Sequence, residues 1–99
     1  MTGLQITTES GDGWHRVVPV GEVDLTSADQ LRAAIEEIAG STVVVDLSGV
    51  TFMDSSGIAA LVAARRQVEA DGNGLVLRGA QGVVRRVFQV LSMEDWLTD

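Results

Sequence analysis

The chain has 99 residues, of which 45% are hydrophobic and 21% charged, and this composition predicts one globular domain spanning residues 1–99. Acidic residues outnumber basic ones by 14 to 7, all seven basic residues are Arg, and the formal net charge is −7. A chain of this charge has no broad basic face for phosphate backbones, so we expect no nucleic-acid binding. With no Lys, no Cys and one His, we also expect no metal or cofactor site.

Hydropathy along the chain gives no sign of a membrane partner. No apolar run approaches the roughly 20 residues that a membrane helix needs. Residues 1–4 also lack the basic, apolar start of a secretory signal. We therefore expect a cytoplasmic protein.

The first fifth of the chain predicts two strands joined by a turn. Residues 4–8 alternate roughly between apolar and polar side chains, residues 9–13 have turn chemistry, and residues 14–20 are again typical of a strand. Because Pro19 has no backbone N–H, it marks either the end of this second strand or an edge-facing position.

A first helix is predicted after residues 21–25. Thr26 or Ser27 can serve as its N-cap, and Ser27 with Gln30 has the spacing of a capping box. Gly40 supplies a C-terminal stop. The apolar stripe of this helix consists of Leu31, Ala34, Ile35 and Ile38.

The second half of the chain alternates between strands and helices. Residues 42–47 form a nearly continuous β-branched run, which favours an inner strand covered on both faces. A helix with small, close-packing faces follows near Ile58, and a short apolar strand covers residues 75–77. Residues 92–97 predict a capped helical turn that places Trp96 against the core.

A third helix is predicted over residues 80–91, and its common apolar face consists of Val83, Val84, Val87, Phe88 and Leu91. The element order is therefore ββαβαβα. This order predicts an α/β fold with a mixed four-stranded or five-stranded sheet and helices packed on it.

A cluster of short polar residues, Asp54, Ser55 and Ser56, precedes the second helix and is followed by Gly57. Asp and Ser are preferred N-caps, so a well-capped helix explains part of this pattern. One cap is sufficient, however, and a Gly in the first helical turn costs about 1 kcal/mol relative to Ala. We therefore expect a close approach to this backbone. A hydroxyl at a helix N-terminus can also carry a phosphate without disrupting the fold.

The segment from Val43 to Ile58, with its Asp54-Ser55-Ser56-Gly57 cluster, resembles the STAS domain, in particular the bacterial anti-sigma-factor antagonists. Gly21-Glu22-Val23-Asp24 resembles the turn after the second strand of that family, and residues 83–91 resemble its third helix. The resemblance implies a STAS fold with Ser55 as the phosphorylation site and Ser56 as the second choice. It also implies that Asp24, Asp54, Ser55, Ser56, Gly57 and Ile58 contact a partner.

The resemblance further implies a partner-switching cycle in which the protein is a substrate rather than an enzyme. The unphosphorylated form would bind an anti-sigma-factor serine kinase and free the sigma factor. The kinase would phosphorylate the serine, and a PP2C-type phosphatase would reset it. Two alternatives remain. One is a STAS accessory subunit of a lipid-transport ATPase or a stress-signalling complex; the other is an enzyme or nucleotide-binding protein on the same sheet.

Other polar residues have simpler interpretations. The sequence leaves three roles open for Asp54, namely helix cap, kinase recognition or metal positioning. Asp46 is expected to bond nearby backbone amides, and His15 is expected on the sheet surface without a catalytic triad. Two Arg pairs, at residues 65–66 and 85–86, could form a shared patch for an acidic partner, although such pairs are more often solvated.

Overall fold

Six strands, three α-helices and one short 3₁₀ turn make up the fold, in a computed structural model that describes residues 3–38 and 40–98. The elements in chain order are β1 (Gln5–Gly11), β2 (Trp14–Val23), α1 (Ala28–Glu36), β3 (Thr42–Asp46), β4 (Val50–Met53), α2 (Ser55–Ala70), β5 (Leu75–Arg78), α3 (Gly82–Val90), a 3₁₀ turn (Glu94–Trp96) and β6 (Leu97–Thr98). The predicted α/β class and mixed sheet are confirmed. The short strands β4 and β6 add to the strands that the sequence predicted.

The sheet has the order β1-β2-β3-β5-β6. The β1 and β2 strands are antiparallel, whereas β3 is parallel to both β2 and β5, and β6 is parallel to β5. The predicted inner position of β3 is therefore confirmed. The β4 strand pairs in parallel with the last residues of β2.

The long strand β2 does not end at Pro19. It pairs with β3 through residues 14–17 and with β4 through residues 21–23. Pro19 lies between these two stretches, where β2 pairs with neither β3 nor β4. Its missing N–H therefore costs no hydrogen bond in either parallel ladder. This arrangement extends β2 to Val23 and carries the chain to the site described below.

The core lies on one face of the sheet. Val17, Val45 and Leu77 are aligned across three strands, and each is at most 1% exposed. Val44 is only half-buried because it points to the opposite face. The expectation that β3 is covered on both faces is therefore wrong. The β-branched run reflects strand propensity as well as burial.

The helices bury parts of their predicted faces. In α1, Leu31 and Ile35 are fully buried, as predicted from the stripe. In α3, only Val84 and Phe88 are buried. Trp96 is half-buried and packs against the core, as predicted, and its ring centroid lies 4.2 Å from the guanidinium carbon of Arg65. Within the described ranges, no helix combines the length and apolarity needed to cross a membrane.

Phe88→Ala is expected to lower the free energy of unfolding by about 3–5 kcal/mol, because it removes a fully buried aromatic ring and leaves a cavity. Urea unfolding measures this loss. Val90→Ala on the same helix is the matched control, since Val90 is 68% exposed and its truncation should change stability by less than about 0.5 kcal/mol. Equal losses in the two variants would contradict the assigned core.

Candidate functional site

The parallel ladder between β2 and β4 brings two polar turns together. Val23 pairs with Met53, and the backbone N–H of Asp54 donates to the carbonyl oxygen of Val23 at 3.3 Å. Asp24 and Asp54 each follow directly after these strand ends. The Asp24 turn therefore adjoins the cluster that begins α2.

Asp54 is the N-cap of α2. Its Oδ1 atom accepts hydrogen bonds from the backbone N–H groups of Ser56 at 2.9 Å and Gly57 at 3.4 Å. Its carbonyl oxygen accepts from the N–H of Ile58 at 3.2 Å. Of the three roles left open for Asp54, the structure shows the cap. Among the described residues, no group of three or more His, Asp or Glu side chains is placed to hold a metal ion.

The two serines after the cap differ in exposure and face different grooves. Ser55 is exposed and lines a groove of about 320 Å³ together with Asp54 and the α3 residues Val83, Arg86, Val87, Val90 and Leu91; we call it the α3 groove. Ser56 is half-buried and lines a separate groove of about 270 Å³ between α1 and α2. Successive helical residues diverge by about 100°, which separates their directions.

Gly57 and Ile58, both predicted to contact a partner, are buried. A Cβ atom at residue 57 would lie 2.6 Å from Cγ of Met53 and 2.9 Å from Cγ1 of Val23. Glycine is therefore needed because the core itself approaches this backbone. The close approach that the sequence predicted comes from inside the protein. Ile58 is 6% exposed, so its side chain belongs to the core rather than to a contact surface.

The Asp24 turn is held by its own side chains. Oδ1 of Asp24 accepts from the hydroxyl of Thr26 at 2.8 Å and from the backbone N–H of Thr26 at 3.0 Å. The Ser27 hydroxyl donates to the carbonyl of Glu22 at 2.8 Å and accepts from the N–H of Asp24 at 3.0 Å. The Thr26 hydroxyl bond, followed by the Thr26 N–H bond, lowers the pKa of Asp24 below its ordinary value of 3.8.

The predicted capping box of α1 is not formed. Ser27 is the N-cap residue, but its side chain makes no cap hydrogen bond because its hydroxyl is used within the Asp24 turn. The amide of Gln30 instead donates to the carbonyl oxygen of Leu4 at 2.9 Å. The spacing of Ser27 and Gln30 therefore indicated correctly where the helix begins, but the capping hydrogen bonds that it predicted are not formed.

Large apolar side chains are exposed near the two turns, and sequence reasoning missed most of them. Leu25 follows Asp24 and is 80% exposed, and Phe52 precedes the cluster and is 41% exposed, whereas Met53 is buried. Val83 and Leu91, predicted on the buried face of the third helix, are 57% and 47% exposed. Periodicity identified the apolar face of this helix but gave no signal for which of its residues stay exposed.

The other candidate residues lie elsewhere. Asp46 accepts from the backbone N–H of Ser48 at 2.9 Å, as predicted, and hydrogen bonds from Ser48 lower its pKa. His15 is half-buried, and its Nδ1 atom has no hydrogen-bond partner among the described residues. The Arg pair at residues 65–66 lines a groove with Trp96, whereas Arg86 lines the α3 groove.

Comparison with known proteins finds similarity over most of the chain. The family model described as "Mlab, STAS domain" matches residues 9–99. An anti-sigma F factor antagonist from Lysinibacillus sphaericus is 32% identical over 83 residues, which cover 80% of this chain and 71% of the relative.

Solved structures show the same similarity. The unphosphorylated form of the anti-sigma factor antagonist SpoIIAA superposes with a TM-score of 0.80 at 27% identity, covering 98% of this chain and 87% of that one. The phosphorylated form of SpoIIAA from Bacillus gives 0.72 at 25% identity, covering 98% and 90%.

Gly57→Ala is expected to destabilise the protein by about 1–3 kcal/mol, because the added methyl group overlaps Met53 and Val23 and this strain exceeds the gain in helix propensity of about 1 kcal/mol. Thermal and urea unfolding measure the change. Gly74→Ala is the control, since a Cβ there meets nothing within 4 Å. A stabilised Gly57→Ala variant would contradict the contact.

Asp24 is expected to contribute to the acid sensitivity of folding. Because its folded-state pKa lies below the ordinary 3.8, its contribution is fully present above that pH and is lost as the pH falls through the lowered value. Asp24→Asn should therefore flatten the stability profile below pH 3.8, as measured by urea midpoints across pH. Asp29→Asn, which removes an exposed carboxylate from the first turn of α1, is the control. Identical profiles for the parent protein and Asp24→Asn would contradict this prediction.

Proposed function

This chain belongs to the STAS-domain family of anti-sigma factor antagonists, and we propose that it is a phosphorylatable partner-switching protein. In its unphosphorylated form it would bind an anti-sigma-factor serine kinase in the cytoplasm and thereby free a sigma factor. Phosphorylation of Ser55 would end this interaction, and a PP2C-type phosphatase would restore it. In this cycle the protein, acting as one domain over residues 1–99, is the substrate and the switch.

The exposure of Ser55 at the start of α2 is the observation that carries this proposal. Ser55 is the first residue of α2, and its neighbour Asp54 provides the cap. The cap uses the Asp54 carboxylate, so the Ser55 hydroxyl is not needed to hold the helix end. It can therefore accept a phosphoryl group without loss of a structural bond. Ser56 is the weaker candidate, because it is half-buried.

Phosphorylation at this position is compatible with the fold. A phosphate adds roughly −1.5 to −2 charge and three acceptor oxygens at a surface position. The similarity of this chain to both the unphosphorylated and the phosphorylated form of SpoIIAA supports a switch that leaves the fold in place. The added charge would then act on the contact with the partner, through repulsion and the cost of desolvation.

The partner would contact the polar turns and the apolar side chains around them. Asp24, Asp54, Ser55 and Ser56 belong to the two adjoining turns, and the exposed Leu25 lies beside them. Exposed apolar groups of this kind, rimmed by polar residues, are typical of protein interaction surfaces. Gly57 and Ile58 would support this surface from beneath, since both are buried.

The alternative role, as a STAS accessory subunit of a lipid-transport ATPase or a stress-signalling complex, would use the same apolar surface. Co-purification from cells distinguishes the two roles. An ATPase with a histidine-kinase-like fold is the partner expected for the switch. Recovery of a membrane transporter ATPase in its place would contradict the proposed function and support the accessory subunit.

Incubation with candidate anti-sigma-factor kinases and ATP is expected to add one phosphate to the parent protein and to Ser56→Ala, but none to Ser55→Ala. Mass spectrometry locates the phosphate. Ser56→Ala is the matched control because it removes the neighbouring hydroxyl. The phosphorylated protein should bind the kinase at least tenfold more weakly than the unmodified form, in an isothermal titration, with an unchanged circular dichroism spectrum.

Two outcomes would contradict the proposal. The first is a phosphate that persists in Ser55→Ala, which would place the acceptor elsewhere. The second is equal affinity of the phosphorylated and unphosphorylated proteins for the kinase, which would leave the modification without a switching effect.

A further inference from the structure

Arg86 shares the α3 groove with Ser55. It belongs to α3, it is exposed, and no ion pair involves it within the ranges 3–38 and 40–98. Three other arginines, at residues 16, 32 and 65, are each paired with a Glu. The guanidinium of Arg86 is therefore available to a new anion in this groove.

The charges around the groove favour Arg86 as the partner of an anion on Ser55. Asp54 is the other charged residue that lines it, and its Oδ1 atom already accepts from the N–H groups of Ser56 and Gly57. A phosphate on Ser55 would be repelled by this carboxylate. Among the described lining residues, Arg86 is the only one whose side chain carries a positive charge to offset that repulsion.

The walls of the α3 groove are mostly apolar. Four of its seven lining residues are apolar, namely Val83, Val87, Val90 and Leu91. An ion pair beside apolar side chains is less screened by water than one in open solvent. A guanidinium also presents several N–H donors in a planar fork that matches phosphate oxygens.

We propose that Arg86 is the intramolecular partner of phosphorylated Ser55 and closes the α3 groove when the phosphate is present. This inference rests on the proposed function, because it takes Ser55 as the acceptor. The unmodified protein leaves both Arg86 and the apolar walls open to a docking protein. The phosphorylated protein engages Arg86 with its own phosphate, so the groove loses a cation and part of its apolar surface to the ion pair.

The test uses full-length protein with phosphoserine incorporated at position 55 during synthesis, so it requires neither the kinase nor any partner. Titration followed by ³¹P NMR measures the second pKa of the phosphate. We expect this pKa to rise by about 0.5 unit or more in Arg86→Gln, because the dianion loses its cation. In Arg86→Lys the phosphate pKa should rise less than in Arg86→Gln, since Lys keeps the positive charge but lacks the planar fork of N–H donors.

Arg66→Gln is the matched control. It removes the same charge from an exposed Arg without an ion pair among the described residues, in a groove that does not include Ser55. The phosphate pKa should not change in this variant. Thermal unfolding of unphosphorylated Arg86→Gln should match the parent protein, which shows that the substitution acts through the phosphate.

An unchanged phosphate pKa in Arg86→Gln would overturn the ion pair. Equal shifts in Arg86→Gln and Arg66→Gln would overturn it as well, because they would reflect net charge alone. Either result leaves the proposed function standing, because the kinase assays and the co-purification test that function separately. Conversely, a kinase that modifies another residue would reject the proposed function while the measured pKa values remain valid for phosphoserine at this position.

Discussion

The first turn of α2 packs directly on Val23 and Met53 because residue 57 has no side chain. The contact joins the end of the β2–β4 ladder to the start of the helix, so the position of the cluster follows from the core beneath it. Asp54 then closes the helix end with its carboxylate. Together these interactions hold Ser55 at a defined place on the surface without using its hydroxyl.

The two turns of the site satisfy their own polar groups. Asp24 accepts from the hydroxyl and the N–H of Thr26, while Asp54 accepts from backbone N–H groups of α2. Both carboxylates are thus engaged in local hydrogen bonds. A surface of this kind is suited to recognition by another protein, and the exposed apolar residues beside the turns agree with that.

The strongly patterned parts of the fold could be predicted from the sequence. The α1 stripe, the inner position of β3 and the cap cluster before α2 follow from periodicity and propensity, and the structure confirms them. The short strand β4 could not be recognised from the sequence, because its pairing partner is the part of β2 that continues past Pro19. The exposure of Val83 and Leu91 could not be recognised either, since periodicity identifies an apolar face but not how much of it the sheet can cover.

The structure brings the Asp24 turn and the Asp54 cluster together, but the sequence did not indicate how each side chain there is oriented. The resemblance implied that Gly57 and Ile58 lie on the contact surface, whereas both are buried. Ser27 was expected to cap α1, and its hydroxyl instead bonds within the preceding turn. Such choices depend on which neighbouring backbone groups lack partners, and only the tertiary arrangement decides that.

The divergence of Ser55 and Ser56 into different grooves has a consequence for any enzyme that modifies this protein. Two adjacent hydroxyls of the same chemical kind cannot be told apart by their reactivity. An enzyme seated over α3 meets only one of them, because the other opens between α1 and α2. The direction of approach to α2 therefore distinguishes the two serines for such an enzyme, because successive helical residues diverge by about 100°.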